Sequence, residues 1–355
     1  MRVVFLFTQN RGVISNFFME ISSRLVKDGH DVFVFCLKKN LGRQVKEGVQ
    51  IIINKKGGFL HNYVEIFRFI KLNKPDVVIS NFTYVSPSLI AGTLLGIKKN
   101  IVWSHTMKDQ IPPRFLKNFI KKNIYRLADK MVVNSRQLGD ERFTLDGVER
   151  SRIFEIPYWS NFKNLESSPV PLNCEDNVFL IGCPGRITVD KNQLVLVNAI
   201  AKFKYEFSGK IKVFFAGEGP HKETLKAKVI ELKLENEIKF IGLLSSEEMV
   251  DFYKKMNLIV LPSLFESFGL VLIETLSLGR PVLVSKKFGA LEYLTKGREN
   301  LNVITFDPED PNELGSKLLK FEKGNELNNS FYEDLYNQNF DKEIIYNKFL
   351  RVLER

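Results

Sequence analysis

Two glutamates eight positions apart are the residues of this sequence whose types and spacing most clearly point to chemistry. Glu266 and Glu274 lie in a run that begins at Pro262, directly after the strand-like segment Leu258–Leu261. The residues after Gly269 are too apolar for an ordinary surface, so Glu274 is predicted to lie inside an apolar helix start. An unpartnered carboxylate there is costly, and a ligand with paired hydroxyls, such as a ribose, would supply hydrogen bonds. The alternative is a glutamate that points to solvent or caps the helix.

Two cations follow another strand-like segment, Val178–Cys183. The turn after this segment carries Gly185, Arg186 and Lys191 and leads into a predicted helix. A helix N-terminus favours anions, an arginine can bind phosphate oxygens in a bidentate way, and a lysine adds a point charge. Together these groups would neutralise a diphosphate leaving group. The alternative is a pair of solvated cations on a loop.

Small and polar residues follow two further predicted strands of the second half. Gly217 and Gly219 come after Lys212–Ala216, with Pro220 at the predicted first position of a helix. This pattern predicts a tight strand-to-helix turn with backbone amides at its mouth. Ser263 follows the strand that precedes the two glutamates and is either a turn residue or a ligand contact.

The first half offers fewer candidates. Gly12 follows the strand-like Val3–Phe7 and would let a ligand approach the backbone, while the neighbouring Arg11 adds charge. His105 follows the strand-like Asn100–Trp103 and can donate a hydrogen bond to a sugar hydroxyl. The alternative for His105 is a structural histidine bonded to neighbouring backbone.

These candidates need elements that bring strand ends together, and the sequence supplies them. Continuous Val/Ile/Phe runs alternate with amphipathic helical patterns, which predicts parallel sheets covered on both faces. In the first half the predicted helices are Ser15–Asp28, His61–Leu72 and Ser86–Leu95. The predicted strands there are Val3–Phe7, Asp31–Leu37, Val49–Ile53, Asp76–Ser80, Asn100–Trp103 and Lys130–Asn134.

The alternation lapses around residues 164–176, where Ser and Pro residues have linker chemistry, and then resumes. The prediction is an α/β protein with two doubly wound parallel-sheet domains that face each other across a cleft. Its parts are a first domain of residues 1–163, a linker of 164–176, a second domain of 177–335 and a C-terminal helix in 336–355 that can pack on either domain. Predicted helices of the second domain are Lys191–Lys204 and Pro220–Leu232. Its predicted strands are Val178–Cys183, Lys212–Ala216, Lys239–Gly242, Leu258–Leu261, Pro281–Val284 and Asn302–Thr305.

The bulk composition narrows the class of protein. The chain has 355 residues, enough for two cores, with 44% hydrophobic and 26% charged residues. No stretch approaches the ~18–20 apolar residues of a membrane span, and the first apolar run is too short for a signal peptide. The three cysteines, Cys36, Cys174 and Cys183, have no metal-ligand spacing, and we expect free thiols in a reducing cytoplasm.

Positive charge is concentrated in the first half. Residues 1–160 contain 26 Lys and Arg against 13 Asp and Glu, whereas residues 161–355 contain 26 against 28. Within the first half, residues 113–126 form a basic amphipathic pattern that can lie on an anionic membrane surface, or be an ordinary helix with a solvated basic face. The predicted membrane contacts are Arg114, Lys117, Lys121, Lys122 and Arg126.

Taken in order, these motifs resemble the retaining glycosyltransferases of family 4, which have the GT-B fold. The resemblance rests on the Gly185-Arg186 turn with Lys191, the turn at Gly217, the Glu-x7-Glu pair Glu266 and Glu274, and the following Leu278-Gly279-Arg280-Pro281-Val282. These pieces span roughly residues 178–306, so the resemblance is specific for the second domain. The first domain matches in outline only.

The resemblance implies a nucleotide-sugar donor, with a UDP-sugar as the default, held by the second domain. It implies that Arg186 and Lys191 bind the donor phosphates, Glu274 the ribose hydroxyls, Glu266 the sugar, and His105 an outer sugar hydroxyl. It also implies retention of the anomeric configuration without a metal or other cofactor. The implied catalytic residues are Glu266, His105, Arg186 and Lys191, and the implied donor-binding residues are Gly12, Gly185, Arg186, Lys191, Gly217, Gly219, Ser263, Phe268, Gly269, Leu270 and Glu274.

The sequence departs from the family pattern in three loops. Arg11-Gly12 stands where family members often have a glycine pair after the first strand, and Gly289-Ala290 stands where a second such pair is often found. Residues 296–300 replace a late turn that resembles Asp-Gly-x-Asn-Gly in the family. None removes a charged site residue, so we expect an active enzyme. For the acceptor, the basic half favours a saccharide or a polyprenyl-diphosphate-linked saccharide at the cytoplasmic membrane face. The alternatives are a GT-B-like epimerase or inverting transferase, a catalytically inactive partner, and a basic nucleic-acid-binding protein. No helix-turn-helix, zinc or RNA-binding signature supports the last, and we expect no nucleic-acid partner.

Overall fold

The structure is a computed structural model that describes residues 1–10, 12–107, 122–172, 177–295, 297–324 and 327–354. The chain divides into two compact units, one of residues 1–158 with 342–355 and the other of residues 159–341. The division therefore falls a few residues before the predicted linker. The last helix belongs to the first unit.

The first unit is built on an eight-stranded sheet in the order β3-β4-β2-β1-β5-β6-β7-β8. All neighbours are parallel except β3 and β4. The strands are β1 Arg2–Leu6, β2 Asp31–Lys38, β3 Gly42–Lys46, β4 Val49–Lys55, β5 Val77–Asn81, β6 Lys99–Ser104, β7 Lys130–Val133 and β8 Ile153–Glu155. The helices are α1 Val13–Lys27, α2 Phe59–Asn73, α3 Val85–Leu94 and α4 Arg136–Asp146, with α12 Lys342–Glu354 added from the end of the chain.

The antiparallel strand β3 was not predicted. It forms a hairpin with β4 through a two-residue turn in which Glu47 has φ +50° and Gly48 has φ +79°. Positive φ at both positions is typical of the type I′ turn, which matches the twist of the flanking strands. The expectation of a wholly parallel first sheet was therefore wrong at this edge, because a Glu-Gly pair is a weaker turn signal than Asn-Gly or Asp-Gly.

Helix α12 packs on the first unit through aromatic and charged contacts. The ring of Phe349 lies 6.4 Å from that of Phe5 and 5.8 Å from that of Trp103. The Tyr346 hydroxyl donates to Asp28 at 2.6 Å. These contacts carry the C-terminal helix back to the sheet with which the chain begins.

The second unit is built on a six-stranded parallel sheet in the order β11-β10-β9-β12-β13-β14. The strands are β9 Val178–Pro184, β10 Lys210–Ala216, β11 Ile238–Gly242, β12 Leu258–Leu261, β13 Val282–Ser285 and β14 Thr305–Phe306. The helices are α5 Gln193–Phe203, α6 Lys222–Glu231, α7 Ser246–Lys255, α8 Leu270–Ser277, α9 Leu301–Ile304, α10 Pro311–Glu322 and α11 Asn329–Asn339.

Three local predictions in this unit were wrong. Residues 302–304, predicted as strand, belong to α9, and only two residues of β14 follow; a short apolar run does not distinguish helix from strand. Helix α6 begins at Lys222, so Pro220 lies before the helix and not at its first position. Lys191 closes a 3-10 turn, and α5 begins only after Asn192, which has φ +51°.

The predicted fold class is confirmed in each unit, since both sheets are parallel apart from the β3–β4 hairpin and most successive strands are joined through a helix. The inner strands are buried almost throughout, as their continuous apolar runs require, whereas the edge strand β3 is exposed. Among the described residues, no helix combines the length and the apolar character that crossing a bilayer needs.

Candidate functional site

The predicted donor-binding residues of the second unit follow three neighbouring parallel strands. Strand β9 pairs with β10 on one side and with β12 on the other. Because parallel strands share their carboxyl edge, the loops that follow them lie side by side. The structure therefore brings together the turn after Cys183, the Gly217 turn and the loop that contains Glu266.

The glycines of the first two loops allow two backbones to touch. The Gly185 amide donates to the Ala216 carbonyl at 3.0 Å, and the Ile187 amide donates to the Glu218 carbonyl at 3.0 Å. A Cβ atom on Gly217 would lie 2.0 Å from the Gly185 carbonyl oxygen. The sequence predicted a tight turn here, and the structure adds that packing against the neighbouring loop is what excludes a side chain.

Lys191 and Glu266 contact each other directly. The Lys191 ammonium donates to Glu266 Oε2, and both side chains are largely buried. Their loops are joined by the backbone as well, since the Leu264 amide donates to the Asp190 carbonyl at 2.8 Å. Two residues that are 75 positions apart in sequence thus form one ion pair at the carboxyl edge of the sheet.

Arg186 differs from Lys191 in having a free guanidinium. Its side chain is exposed and makes no ion pair with any carboxylate of the part of the chain that the structure describes. Its backbone carbonyl accepts from the Gln193 side chain at 2.9 Å. The loop is therefore anchored by its backbone while its guanidinium remains available for an anion.

A further loop holds Glu266 in place. The Gly289 amide donates to the Glu266 carbonyl at 3.0 Å, and the Ala290 amide donates to the Phe268 carbonyl at 2.8 Å. The backbone amides of Gly289 and Ala290 are thus both used in hydrogen bonds within the protein. Gly269 has φ +98°, and a Cβ there would lie 2.2 Å from the Phe288 ring, so this position requires glycine on both counts.

Of the remaining predicted donor contacts in this loop, Ser263 and Phe268 are buried, and Leu270 is the first residue of α8. The Phe268 ring packs 6.1 Å from the Phe340 ring, which makes its side chain part of the core. The Phe268 side chain is therefore not available to a ligand. The amino end of α8, with Gly269 as its N-cap, supplies amides that have no carbonyl partner within the helix.

Glu274 lies inside α8 and is only 5% exposed. The Tyr253 hydroxyl donates to Glu274 Oε2 at 2.8 Å. Burial raises the pKa of Glu274 to about 7, and the hydrogen bond from Tyr253 opposes that shift. The sequence predicted a buried carboxylate in need of a partner, but it gave no sign that Tyr253, on α7, supplies one.

In the first unit, His105 is buried with both ring nitrogens engaged. Its Nδ1 is hydrogen-bonded to the Tyr158 hydroxyl and its Nε2 to Asn81 Oδ1. Since Asn81 Oδ1 can only accept, Nε2 carries the proton and Nδ1 accepts from Tyr158. Burial lowers the pKa of His105 to about 3, so the ring is neutral at ordinary pH. A sugar hydroxyl would have to compete with one of these protein partners.

Phe82 covers one face of the His105 ring. The two rings stack with centroids 4.5 Å apart and planes inclined by 20°. Phe82 is half exposed and has φ +50°, a conformation that bulky side chains rarely adopt. Asn81, the last residue of β5, could have been found as a polar residue at a strand end; Phe82 and Tyr158 carried no such signal.

The other predictions for the first unit have mixed outcomes. Gly12 is the N-cap of α1, and its amide donates to Asn10 Oδ1 at 2.8 Å. Of the predicted membrane contacts, Lys122 is half-buried and Arg126 is exposed. Arg126 lines a cavity of about 340 Å³. Three predicted membrane contacts and one neighbour of Gly12 lie outside the described residues, namely Arg114, Lys117, Lys121 and Arg11.

Cys36 and Cys183 are buried free thiols, and burial raises the pKa of each. Cys174 lies outside the described residues. Among the residues that the structure describes, no group of three or more His, Cys, Asp and Glu side chains is placed to hold a metal ion.

Two Rossmann-like units, each built on a mainly parallel sheet, are characteristic of the GT-B fold. The overall likeness extends to solved structures of that class. The structure of HepE from Anabaena in complex with UDP and glucose superposes with a TM-score of 0.77 at 18% identity, covering 99% of both chains.

The family of this chain follows from matches of its sequence to two known families. Residues 14–158 match the family described as Glycosyltransferase Family 4, and residues 166–338 match the family described as Glycosyl transferases group 1. The chain thus belongs to the family 4-like glycosyltransferases, which confirms the predicted family; the retaining mechanism and the role of the Glu-x7-Glu pair stay predictions.

Two curated relatives illustrate the range of this family. Sulfoquinovosyl transferase SQD2 of Arabidopsis thaliana is 26% identical over 276 residues, covering 72% of this chain and 50% of that protein. Alpha-monoglucosyldiacylglycerol synthase of Streptococcus pneumoniae is 28% identical over 228 residues, covering 58% of this chain and 50% of that protein. The chain thus spans about half the length of these relatives.

Proposed function

We propose that this chain is a retaining glycosyltransferase that moves a sugar from a nucleoside-diphosphate donor to a hydroxyl of a saccharide or lipid-linked saccharide. The observation that carries the proposal is the convergence of Arg186, Lys191 and Glu266 with the amino end of α8 at one edge of the second sheet. Breaking a sugar–phosphate bond leaves negative charge on the diphosphate and positive charge on the anomeric carbon. Cations and helix amides stabilise the first, and a carboxylate suits the second.

In this proposal the Lys191–Glu266 ion pair is the resting arrangement of the site. The two charges neutralise each other while no donor is bound. A diphosphate offers Lys191 a stronger anionic partner, and Glu266 is then released to face the sugar. Because Arg186 is already exposed and unpaired with the described carboxylates, it makes the first contact with the phosphates.

Glu274 would take the ribose hydroxyls through whatever part of its carboxylate Tyr253 leaves accessible. Burial raises the pKa of Glu274 to about 7, and the hydrogen bond from Tyr253 offsets that shift only in part. Two hydroxyls of a ribose would donate to it and bring its pKa down again. A donor that binds in this way therefore selects the ionised form of Glu274.

The relatives support the choice of substrates. The HepE complex contains UDP and glucose, which supports a UDP-hexose as the first donor to test. The names of two relatives, a sulfoquinovosyl transferase and a monoglucosyldiacylglycerol synthase, support a lipid-linked acceptor in glycolipid or surface-polysaccharide synthesis. We place such an enzyme in the cytoplasm at the inner face of the membrane, in keeping with its buried free thiols. We also propose that the reaction needs no metal, because protein cations take the diphosphate.

A donor screen tests the function. Purified protein is incubated with a panel of nucleotide sugars in the presence and absence of a chelator, and release of nucleoside diphosphate is followed with and without saccharide acceptors. We expect release with at least one UDP-sugar, insensitivity to the chelator, and a product whose anomeric configuration by NMR equals that of the donor. Inversion of that configuration would favour the alternative of an inverting transferase, and loss of release with the chelator would contradict the metal-independent reaction.

A further inference from the structure

Two loops of the first unit carry the same unusual combination of residues. Strand β2 ends at Lys38 and is followed by Lys39 and Leu41; strand β4 ends at Lys55 and is followed by Lys56, and helix α2 then begins at Phe59. Strands β2 and β4 are parallel neighbours, and their register pairs Lys38 with Lys55. The Lys56 amide also donates to the Lys38 carbonyl at 2.8 Å. The two loops therefore form one continuous surface at the carboxyl edge of the sheet.

The apolar side chains of this surface point into solvent. Leu41 is 71% exposed, Phe59 is 70% exposed and Leu60 is 76% exposed. The Phe59 ring packs 4.3 Å from the Tyr63 ring. Scattered exposed apolar residues are common, but several large ones on two adjacent loops mark an interaction surface.

The polar part of the surface has a single sign. Residues 38–43 and 55–61 contain no Asp or Glu. None of their lysines and arginines forms an ion pair with another residue of the described part of the chain. These basic residues are Lys38, Lys39, Arg43, Lys55 and Lys56.

We propose that this basic–apolar surface, made of residues 38–43 and 55–61, docks on an anionic lipid bilayer. Leu41, Phe59 and Leu60 enter the interface while the lysines remain among the headgroups, as amphipathic side chains do at membranes. Charge complementarity selects this partner, because anionic lipid headgroups present a dense negative surface and the loops offer only positive charge. An apolar protein partner would leave the five cations without a role.

The surface shares its sheet edge with the loops of the first unit that contain the predicted site residues Gly12 and His105. Strands β1, β5 and β6 are parallel to β2, so Gly12, Phe82 and His105 follow strands that end at this same edge. A bilayer held at this surface would place a lipid-linked acceptor beside them. The inference rests on the proposed function for this purpose only, since docking itself requires no catalysis. It moves the membrane contact away from residues 113–126.

Sedimentation with lipid vesicles tests the proposal. The full chain is mixed at low salt with vesicles of phosphatidylglycerol and phosphatidylcholine, or of phosphatidylcholine alone. We expect binding to the anionic vesicles only, weakening as salt is added. The variant Leu41→Ser/Phe59→Ser/Leu60→Ser should bind at least about tenfold more weakly, because it loses the inserted apolar groups. A charge variant, Lys39→Gln/Lys56→Gln, should lose the salt dependence in part.

A matched control variant also removes exposed apolar residues, but at the opposite edge of the first sheet. Leu72 is 80% exposed near the end of α2, and Leu94 is 73% exposed at the end of α3. Both helices run back from the carboxyl edge, so Leu72→Ser/Leu94→Ser should bind vesicles like the unmodified chain.

Three results would overturn the proposal: unchanged binding by the triple variant, equal loss in the control, or capture of RNA with no binding to vesicles. If only Lys122→Gln/Arg126→Gln abolishes binding, the contact belongs to the helix predicted from sequence. Release of nucleoside diphosphate from the donor is measured in parallel. Preserved release with lost vesicle binding supports the docking surface, whereas absent release in all variants contradicts the proposed function alone.

Discussion

The two units use the carboxyl edges of their sheets in different ways. In the second unit the loops are short and fastened to one another by backbone hydrogen bonds, and they leave cationic side chains such as Arg186 toward solvent. In the first unit the polar candidate His105 is withdrawn into a buried side-chain network, while the loops beside it expose lysines and large apolar residues. The second edge suits a small charged ligand, and the first suits an extended, partly apolar one.

This contrast also explains why the residues of the second edge are easier to predict from the sequence than those of the first. Backbone-fastened loops need glycine at fixed points, as at Gly217 and Gly269, and such residues are visible as a motif. A buried side-chain network needs only that Asn81, His105 and Tyr158 meet after folding. No spacing in the sequence predicts that these three residues lie together.

The largest expected effect tests the cations of the second edge. Lys191→Ala and Arg186→Ala should each lower turnover by about a hundredfold, because each removes one charge that stabilises the departing diphosphate. Initial rates at saturating donor measure this. The control Lys228→Ala removes a lysine of the same unit that pairs with Glu231 on α6, and it should leave the rate unchanged. Near-normal rates in both site variants would remove these residues from the mechanism.

The next effect concerns Glu274, which should lower the stability of the ligand-free protein and strengthen the binding of UDP. Its pKa is about 7 in the folded chain against 4.5 for an unperturbed glutamate, so the folded state holds the proton more tightly and loses stability as pH rises between these values. Glu274→Gln should therefore stabilise the ligand-free protein above about pH 7, by up to about 3 kcal/mol, and have no such benefit below about pH 4. The same variant should bind UDP at least about tenfold more weakly, since the charged acceptor is lost.

Urea unfolding at both pH values and calorimetric titration with UDP measure the two sides. Tyr253→Phe is the matched control, because it removes the hydroxyl that donates to Glu274 and leaves the carboxylate less satisfied. Its stability should fall where that of Glu274→Gln rises. Equal shifts of both variants in one direction would contradict the assignment.

A smaller effect tests the network of the first edge. Tyr158→Phe removes the hydroxyl that is hydrogen-bonded to His105 Nδ1 inside a buried network, which should cost about 1–3 kcal/mol of unfolding free energy. UDP affinity should be unchanged, because Arg186, Lys191 and Glu274, which we propose to bind the diphosphate and the ribose, belong to the other unit. A weakened UDP affinity with unchanged stability would mean that this network serves the donor and not the first unit.

The smallest effect concerns the backbone of Phe82. At φ +50° a side chain with a Cβ is strained, and glycine is not. Phe82→Gly and Phe82→Ala both remove the ring that stacks on His105, so their difference isolates the backbone. Phe82→Gly should be the more stable of the two by about 1 kcal/mol in urea unfolding, and the reverse order would show that the left-handed conformation is not retained.

The sequence by itself determined the class of each unit, and it predicted a donor side of the site. Apolar runs of strand length, separated by helical periods, leave little choice but a parallel sheet, and glycines after strands β9 and β10, with cations after β9, predict which edge binds the donor. It failed at short or weakly marked elements, such as the β3 hairpin and the helix at residues 301–304, where local patterns are compatible with more than one structure.

Tertiary structure alone decided which side chains meet. The Lys191–Glu266 pair, the bond from Tyr253 to Glu274 and the enclosure of His105 join residues that are between 21 and 75 positions apart. Sheet register likewise brought two separate Lys-Lys loops into one surface through the pairing of β2 with β4. Periodicity and turn chemistry act over a few residues, whereas burial, side-chain hydrogen bonding and register depend on which strands become neighbours, and only the folded chain establishes that.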